Sequence, residues 1–206
     1  MNSKIIQDLI SEFAKFPTIG PKTAARFVFY LIKQKKEDVD KLVDLIMKLK
    51  NSIRLCRFCF APFEKEDDNE FCNICLSDKR NKKILCIVER EQDMEAIENT
   101  GEYNGVYFIL GGDMNLLAKD GEERLKREKD LVDRLKNPEK YGFEKFSEVI
   151  IALNPTVEGE VTSDYLKNLI LNLGYKVTQI AKGIPKGGEL EYADKDTIKE
   201  ALNRRQ

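Results

Sequence analysis

Two Cys-x-x-Cys knuckles stand twelve residues apart: Cys56-Arg57-Phe58-Cys59, then Cys72-Asn73-Ile74-Cys75. Each knuckle sets two thiolates on one tight turn, so four sulfurs can close a tetrahedron at about 2.3 Å around a single Zn²⁺. No coordination position is left for water, which makes the expected ion structural and not catalytic. Two disulfides, an iron–sulfur cluster and unrelated buried cysteines are the competing readings. Nothing at the amino end reads as a secretory signal, and the spacing itself favours zinc, one ion per chain, held by Cys56, Cys59, Cys72 and Cys75. The fifth cysteine, Cys86, lies in an apolar run and reads as core.

A chain of 206 residues suits one ordinary domain or two small ones, and the cysteines a quarter of the way along mark a join between two. There is no histidine, which excludes His-dependent triads, His metal ligands and His general bases. The apolar runs are a few residues long, so the expectation is a reduced, cytoplasmic protein with no membrane partner. The net charge of −1 hides a split. Up to Arg57 there are 12 Lys/Arg against 6 Asp/Glu, and beyond it 23 against 30. A basic front points to nucleic acid and an acidic rear to a basic partner such as another protein. On charge alone, solvated helix faces account for the split equally well.

Along the chain, Ile5, Ile6, Leu9, Ile10 and Phe13 repeat at helical spacing, with Ser3 as the cap, and predict a helix to about Lys15. Phe16-Pro17-Thr18-Ile19-Gly20 then breaks the pattern, and Pro21 opens a second helix through Ile32. A third uses Val39, Leu42, Val43, Ile46, Leu49 and Ile53. The turn resembles a helix-hairpin-helix, whose helix N-terminus offers backbone N–H groups to a DNA phosphate without reading bases. Gly20, Lys22 and Arg26 are the expected DNA-binding residues, the two cations lying one turn apart on one face. Thr18 stands where such a turn commonly has glycine. An ordinary helical corner with a surface Lys and Arg is the plain alternative. Between the knuckles, the loop from Glu64 to Glu70 reads as solvated.

Past Cys75 the period changes. Three short apolar runs, Ile84–Val88, Val106–Leu110 and Val149–Leu153, alternate with helical stretches and predict parallel βαβ units with helices on both faces. Functional loops in such sheets lie beyond the carboxyl ends of the strands, where Glu89 and the stretch Asn154-Pro155-Thr156-Val157-Glu158-Gly159-Glu160 fall.

With that stretch, the knuckles, the hairpin and Gly183-Ile184-Pro185-Lys186-Gly187-Gly188-Glu189-Leu190-Glu191 in this order, the chain resembles the RecR family of bacterial recombination mediators over nearly its full length. The resemblance implies an α+β chain in several parts: a helix-hairpin-helix domain at 1–55, a zinc finger at 56–77, an α/β Toprim domain with a mostly parallel sheet at 78–180, and a C-terminal Gly-rich strand and helix at 181–206 making oligomer contacts. On this view zinc staples the helical domain. It implies a protein without catalysis that closes as a homotetrameric ring around DNA, sequence-independently, and acts with RecO and RecF to load RecA on gapped DNA in recombinational repair. Such a protein would be nucleoid-associated while on DNA. The matching partner-facing acids are Glu89, Asp93 and Glu158, with Glu160 beside them.

Toprim enzymes hold Mg²⁺ through a Glu after the first strand and a later Asp-x-Asp. Glu89 matches the former, but Asn154 and Thr156 stand at the latter, so Mg²⁺ is expected to bind weakly or not at all. A Mg²⁺-dependent Toprim nuclease or primase-like enzyme is the rival reading. The loop Gly111-Gly112-Asp113-Met114-Asn115-Leu116-Leu117 lacks the Ser-Pro pair common in the family, so no contact is carried over to it; its glycines fit a sharp turn. A nucleotide-phosphate loop in the C-terminal glycines is disfavoured by the lack of a Gly-Lys-Thr/Ser.

Overall fold

The structure is a computed structural model that describes residues 3–65, 68–115, 125–181, 187, 189–193 and 195–203. The chain divides into two compact units, residues 1–53 and 54–206.

In the first unit, α1 (Lys4–Phe13) and α2 (Pro21–Lys33) form a hairpin, and α3 (Lys36–Ser52) follows. The first helix stops at Phe13, two residues short of the expected end, because Lys15 and Phe16 already donate to carbonyls three residues back. Ser3 occupies the cap position without a side-chain cap bond. The turn is closed by Ile19 N–H to Phe16 O, with Pro17 second and Thr18 third. Thr18 has φ +64°, the left-handed conformation that the third position of such a turn requires and that glycine normally supplies. A β-branched residue there stores on the order of 1 kcal/mol of strain. Phe13 packs edge-on against Phe16 and Phe27, while Ala24 and Val28 are the buried residues of α2. None of the 17 residues of α3 is buried. The predicted Ile53 leaves this helix and begins a strand.

In the second unit, β1 (Ile53–Leu55, whose first residue is the unit boundary) pairs with β2 (Pro62–Glu64), and α4 (Asn73–Leu76) carries the second knuckle. Then come β3 (Ile84–Val88), α5 (Glu91–Glu98), β4 (Val106–Ile109), α6 (Glu128–Lys136), β5 (Glu148–Ala152), α7 (Val157–Asn172), β6 (Val177–Gln179) and α8 (Lys195–Asn203). The order β4-β3-β5-β6 is parallel throughout, as the apolar runs predict, with β6 an addition that its mixed pattern hides. The chain leaves β3 toward β4 and then crosses back to β5, so the switch point lies between the ends of β3 and β5.

Helices cover both faces. The Tyr107 hydroxyl reaches Glu98 of α5 on one, while Phe108, its neighbour on β4, meets Phe60 of the first knuckle on the other. All four knuckle cysteines belong to the same buried cluster as Leu85, Ile87 and Ile151. The four cysteines therefore belong to the α/β unit and not to the helical unit that zinc was expected to staple. Cys86 is core, as read, and burial pushes its thiol up to about 12. Leu190–Tyr192 is a short 3-10 turn, not strand. The rest of the expected Gly-rich strand, residues 182–186 and 188, lies outside the described residues.

Arg80 ties the start of β4 to α5. Its guanidinium forks onto the Glu98 carboxylate and donates to the carbonyls of Tyr103 and Gly105. Burial alone would raise Glu98, but Arg80 and the Tyr107 hydroxyl outweigh it and hold the carboxyl below its ordinary value. A depressed carboxylate stabilises the fold above its unfolded value of 4.5 and loses that contribution as pH falls through the folded value. Glu98→Gln should therefore cost about 1–2 kcal/mol at pH 7. The gap from wild type should close as pH falls through the depressed folded value, as read by urea unfolding across pH; a pH-independent gap would assign the loss to shape alone.

Candidate functional site

Three groups of side chains stand out. In the first knuckle, Phe60 N–H returns to Cys56 O, and Ala61 N–H donates to Cys59 Sγ at 3.4 Å. Phe60 adopts φ +64°, which turns the chain away after the second ligand. In the second knuckle, Leu76 N–H closes onto Cys72 O and begins α4. The four sulfurs, all buried, lie within 4.8 Å of one another. Cys56 and Cys75 are 3.8 Å apart and Cys59 and Cys72 3.5 Å. Zn–S bonds of about 2.3 Å give a tetrahedron of edge about 3.8 Å, so the donor set fits such an ion. The loop to the second knuckle is not merely solvated, since Glu70 returns to Arg57 by both backbone and side chain.

The second group lies at the switch point. Glu89 follows β3 and is 3% exposed. One carboxylate oxygen meets Arg90 Nε at 2.6 Å, and the other accepts from Asn154 Nδ2 at 2.9 Å. The same amide approaches Asp93 Oδ1 at 3.4 Å, while Asp93 Oδ2 caps α5 by accepting from Arg90 N–H. Asn154 thus brings Glu89 and Asp93 together. Thr156 serves as the cap of α7, accepting from Gly159 N–H. Gly159 has no room for a side chain: a Cβ would lie 2.1 Å from Asn154 O. Both positions that depart from Asp-x-Asp therefore hold structure, and the glycine of this motif sets the closeness of α7 to the β5 loop. Glu158 and Glu160 are exposed in the first turn of α7, which they suit electrostatically.

Asp113 is the residue that sequence reasoning missed. Gly111 and Gly112, at φ +82° and +140°, bend the chain after β4 as a sharp turn and deliver it here. Its Oδ1 is buried without a hydrogen bond. Burial first, then the charge of Glu89, raise its carboxyl, with Glu158 and Asp93 adding to the effect and Arg90 opposing it. The signal was the Gly-Gly-Asp at a strand end. Leu116 and Leu117 of that loop lie outside the described residues. Among the described residues, the cysteines alone bring three or more His, Cys, Asp or Glu ligand atoms within 4.8 Å; these acids do not.

The third group is in the first unit. Gly20 caps α2 with no side chain, and a Cβ there would meet nothing within 4 Å. Lys22 and Arg26 are exposed one turn apart, with no hydrogen bond or ion pair among the described residues. The hairpin therefore presents an uncapped helix start and two cations to solvent.

The Asn154 amide can be tested by restoring a carboxylate. Asn154→Asp should set two acids at the present 2.9 Å contact and lower stability at pH 7 by about 1–3 kcal/mol. Acid or millimolar Mg²⁺ should return the loss, as followed by thermal unfolding. No loss would mean that the amide is not what holds Glu89.

Comparison with known proteins agrees with this geometry. The chain matches the family descriptions "RecR, helix-hairpin-helix" over residues 6–49, "Toprim domain" over 83–181 and "RecR, C-terminal" over 183–206. It is 45% identical over 205 residues to a recombination protein RecR of Chloroherpeton thalassium, covering 98% of this chain and 97% of that one. It is 38% identical over 200 residues to that of Paenarthrobacter aurescens, covering 97% and 95%. With that of Mycobacterium bovis it shares 39% over 198 residues, covering 96% and 94%. A four-cysteine cluster, a helix-hairpin-helix and a parallel Toprim sheet, joined by identity along nearly the whole length, place this chain in the RecR family of recombination proteins.

Proposed function

We propose that the protein is a DNA-binding mediator of recombinational repair, which encircles DNA as a homotetramer and acts with RecO and RecF to load RecA on gapped DNA. The observation that carries DNA binding is the hairpin, where Gly20 leaves the start of α2 without a side-chain cap and Lys22 and Arg26 are exposed with no hydrogen bond or ion pair among the described residues. These groups grip phosphate and are blind to base identity. Two cations per chain give weak, salt-sensitive binding, and a ring multiplies them. Assembly is supported by α3, where Leu42, Val43, Leu45, Ile46, Met47 and Leu49 are all exposed. An amphipathic helix with its apolar face uncovered suits a second copy of the chain.

The cysteine ion is zinc, one per chain, with a structural role. The switch-point acids Glu89, Asp93, Glu158 and Glu160 form the acidic side that receives basic partner surfaces, and Asp113 joins them. The protein works without catalysis. Supporting this, the Glu89 carboxylate is already engaged by Arg90 and Asn154, and Thr156 is a helix cap.

Replacing Lys22 and Arg26 with alanine should weaken DNA binding alike for every sequence and reduce the slope of log affinity against log salt by about 2 for each chain engaged; an unchanged slope would point to a protein partner for the hairpin. Ile46→Glu should shift the assembly toward smaller species by light scattering. Wild-type complexes should outlast that variant's on linear DNA with blocked ends, and equal lifetimes would count against encirclement.

A further inference from the structure

Arg134 of α6 is one of three buried polar or charged residues in the described core, at 5% exposure, and the metal-ligand pattern does not include it. Its Nε donates to Phe58 O at 3.1 Å and its Nη2 to Arg57 O at 2.8 Å. These are the two residues between ligands Cys56 and Cys59. Its Nη1 donates to the backbone and side-chain oxygens of Asp130, one turn earlier on α6, which fixes the guanidinium plane. The plane lies over the Phe60 ring at 4.7 Å and the Tyr141 ring at 4.8 Å. Phe60 is the left-handed residue that ends the knuckle, and Arg127 approaches the same ring at 4.3 Å. The next carbonyl, Cys59 O, accepts from Ile109 N–H at the end of β4.

Three consecutive peptide carbonyls of the knuckle are thus held by groups from α6 and β4 rather than by the knuckle itself. Arg134 supplies the fork for the carbonyls, while its charge is met by Asp130.

We propose that Arg134 is a positioning residue of the metal centre, which sets how tightly the ion is retained by locking the Cys56–Cys59 turn. The inference rests on the zinc reading above. Through it, metal retention depends on α6, more than 70 residues away in sequence, and loss of the ion is felt at α6 and at the end of β4 in return.

The test uses the full-length protein loaded with zinc and measures metal release into an excess of a chromogenic chelator. Arg134→Met, which keeps volume without charge or donors, should release zinc roughly 10–100-fold faster. Arg134→Lys, which keeps charge without the fork, should fall between it and wild type. Leu166→Ala, a fully buried change on α7, is the control for general loss of stability and should keep the wild-type rate. With Co²⁺ in place of zinc, the thiolate charge-transfer and ligand-field bands should shift in Arg134→Met and stay unchanged in Leu166→Ala. Wild-type release from both Arg134 variants, or equal acceleration in the Leu166 control, would overturn the proposal. If Arg134→Met does not fold, the comparison of Arg134→Lys with the control decides in the same way. Wild-type protein that holds no zinc would overturn the metal reading itself.

Discussion

Four sulfur atoms within 4.8 Å of one another, inside an apolar core, are a constraint that the surrounding structure has to satisfy before anything else. Thiols this close either share protons unevenly or give them up to a cation, and a structural ion of this kind contributes on the order of 10 kcal/mol to folding. The four cysteines lie within the α/β unit, in the core of the central sheet. Phe58, between two ligands, stacks on Phe143 at 4.2 Å, and Phe60 meets Phe108 of β4. The knuckle is therefore one wall of the sheet's core, and it is held in turn by Ile109 of β4 and Arg134 of α6.

From that core the chain reaches the acidic end of the sheet. Cys59 O is tied to the N–H of Ile109, and two residues on, Gly111 N–H donates to the carbonyl of Glu89. The loop that carries Asp113 therefore leaves from a strand end anchored at both sides. Crowding carboxylates at a switch point is costly without a cation, and the structure relieves part of that cost internally. The Asn154 amide and the Arg90 guanidinium take up Glu89, and Asp93 is turned toward a helix start. Exposed Glu158 and Glu160 keep the local potential negative without requiring an ion. A cluster arranged in this way is suited to meeting cations that arrive on another macromolecule.

Much of this was legible in the sequence, for reasons that differ by element. The strands β3, β4 and β5 are buried on both faces, so they read as continuous apolar runs. By contrast, β6 is three residues of mixed pattern and β1 and β2 are equally short, so no periodicity could reveal them. The cysteine spacing suggested the ligand set but not which unit would enclose it, because that follows from contacts of Phe58 and Phe60 with Phe143 and Phe108, 85 and 48 positions away. Asn154 and Thr156 could be read as missing charges, while their present roles as clamp and cap depend on three-dimensional neighbours. Asp113 carried only the weak signal of a Gly-Gly-Asp at a strand end, and Arg134 carried no motif at all. Their importance comes from burial, which a local pattern does not encode.

The first unit raises a different question, that of how so little core holds three helices. Ala24 and Val28 are its buried apolar side chains among the described residues, and a unit of about 53 residues is marginal even with a full core. It also carries a strained Thr18 and a third helix with no buried residue. A hairpin of this kind gains little from its own packing, so covering the apolar face of α3 would contribute more to its stability than any contact within it. Burying six aliphatic or methionine side chains at about 1.5–3 kcal/mol each exceeds the order of 1 kcal/mol stored at the turn by a wide margin. The proposed assembly and the proposed DNA binding would then be linked physically: α3, whose apolar face is exposed, follows the hairpin directly in sequence, so ordering one would order the other.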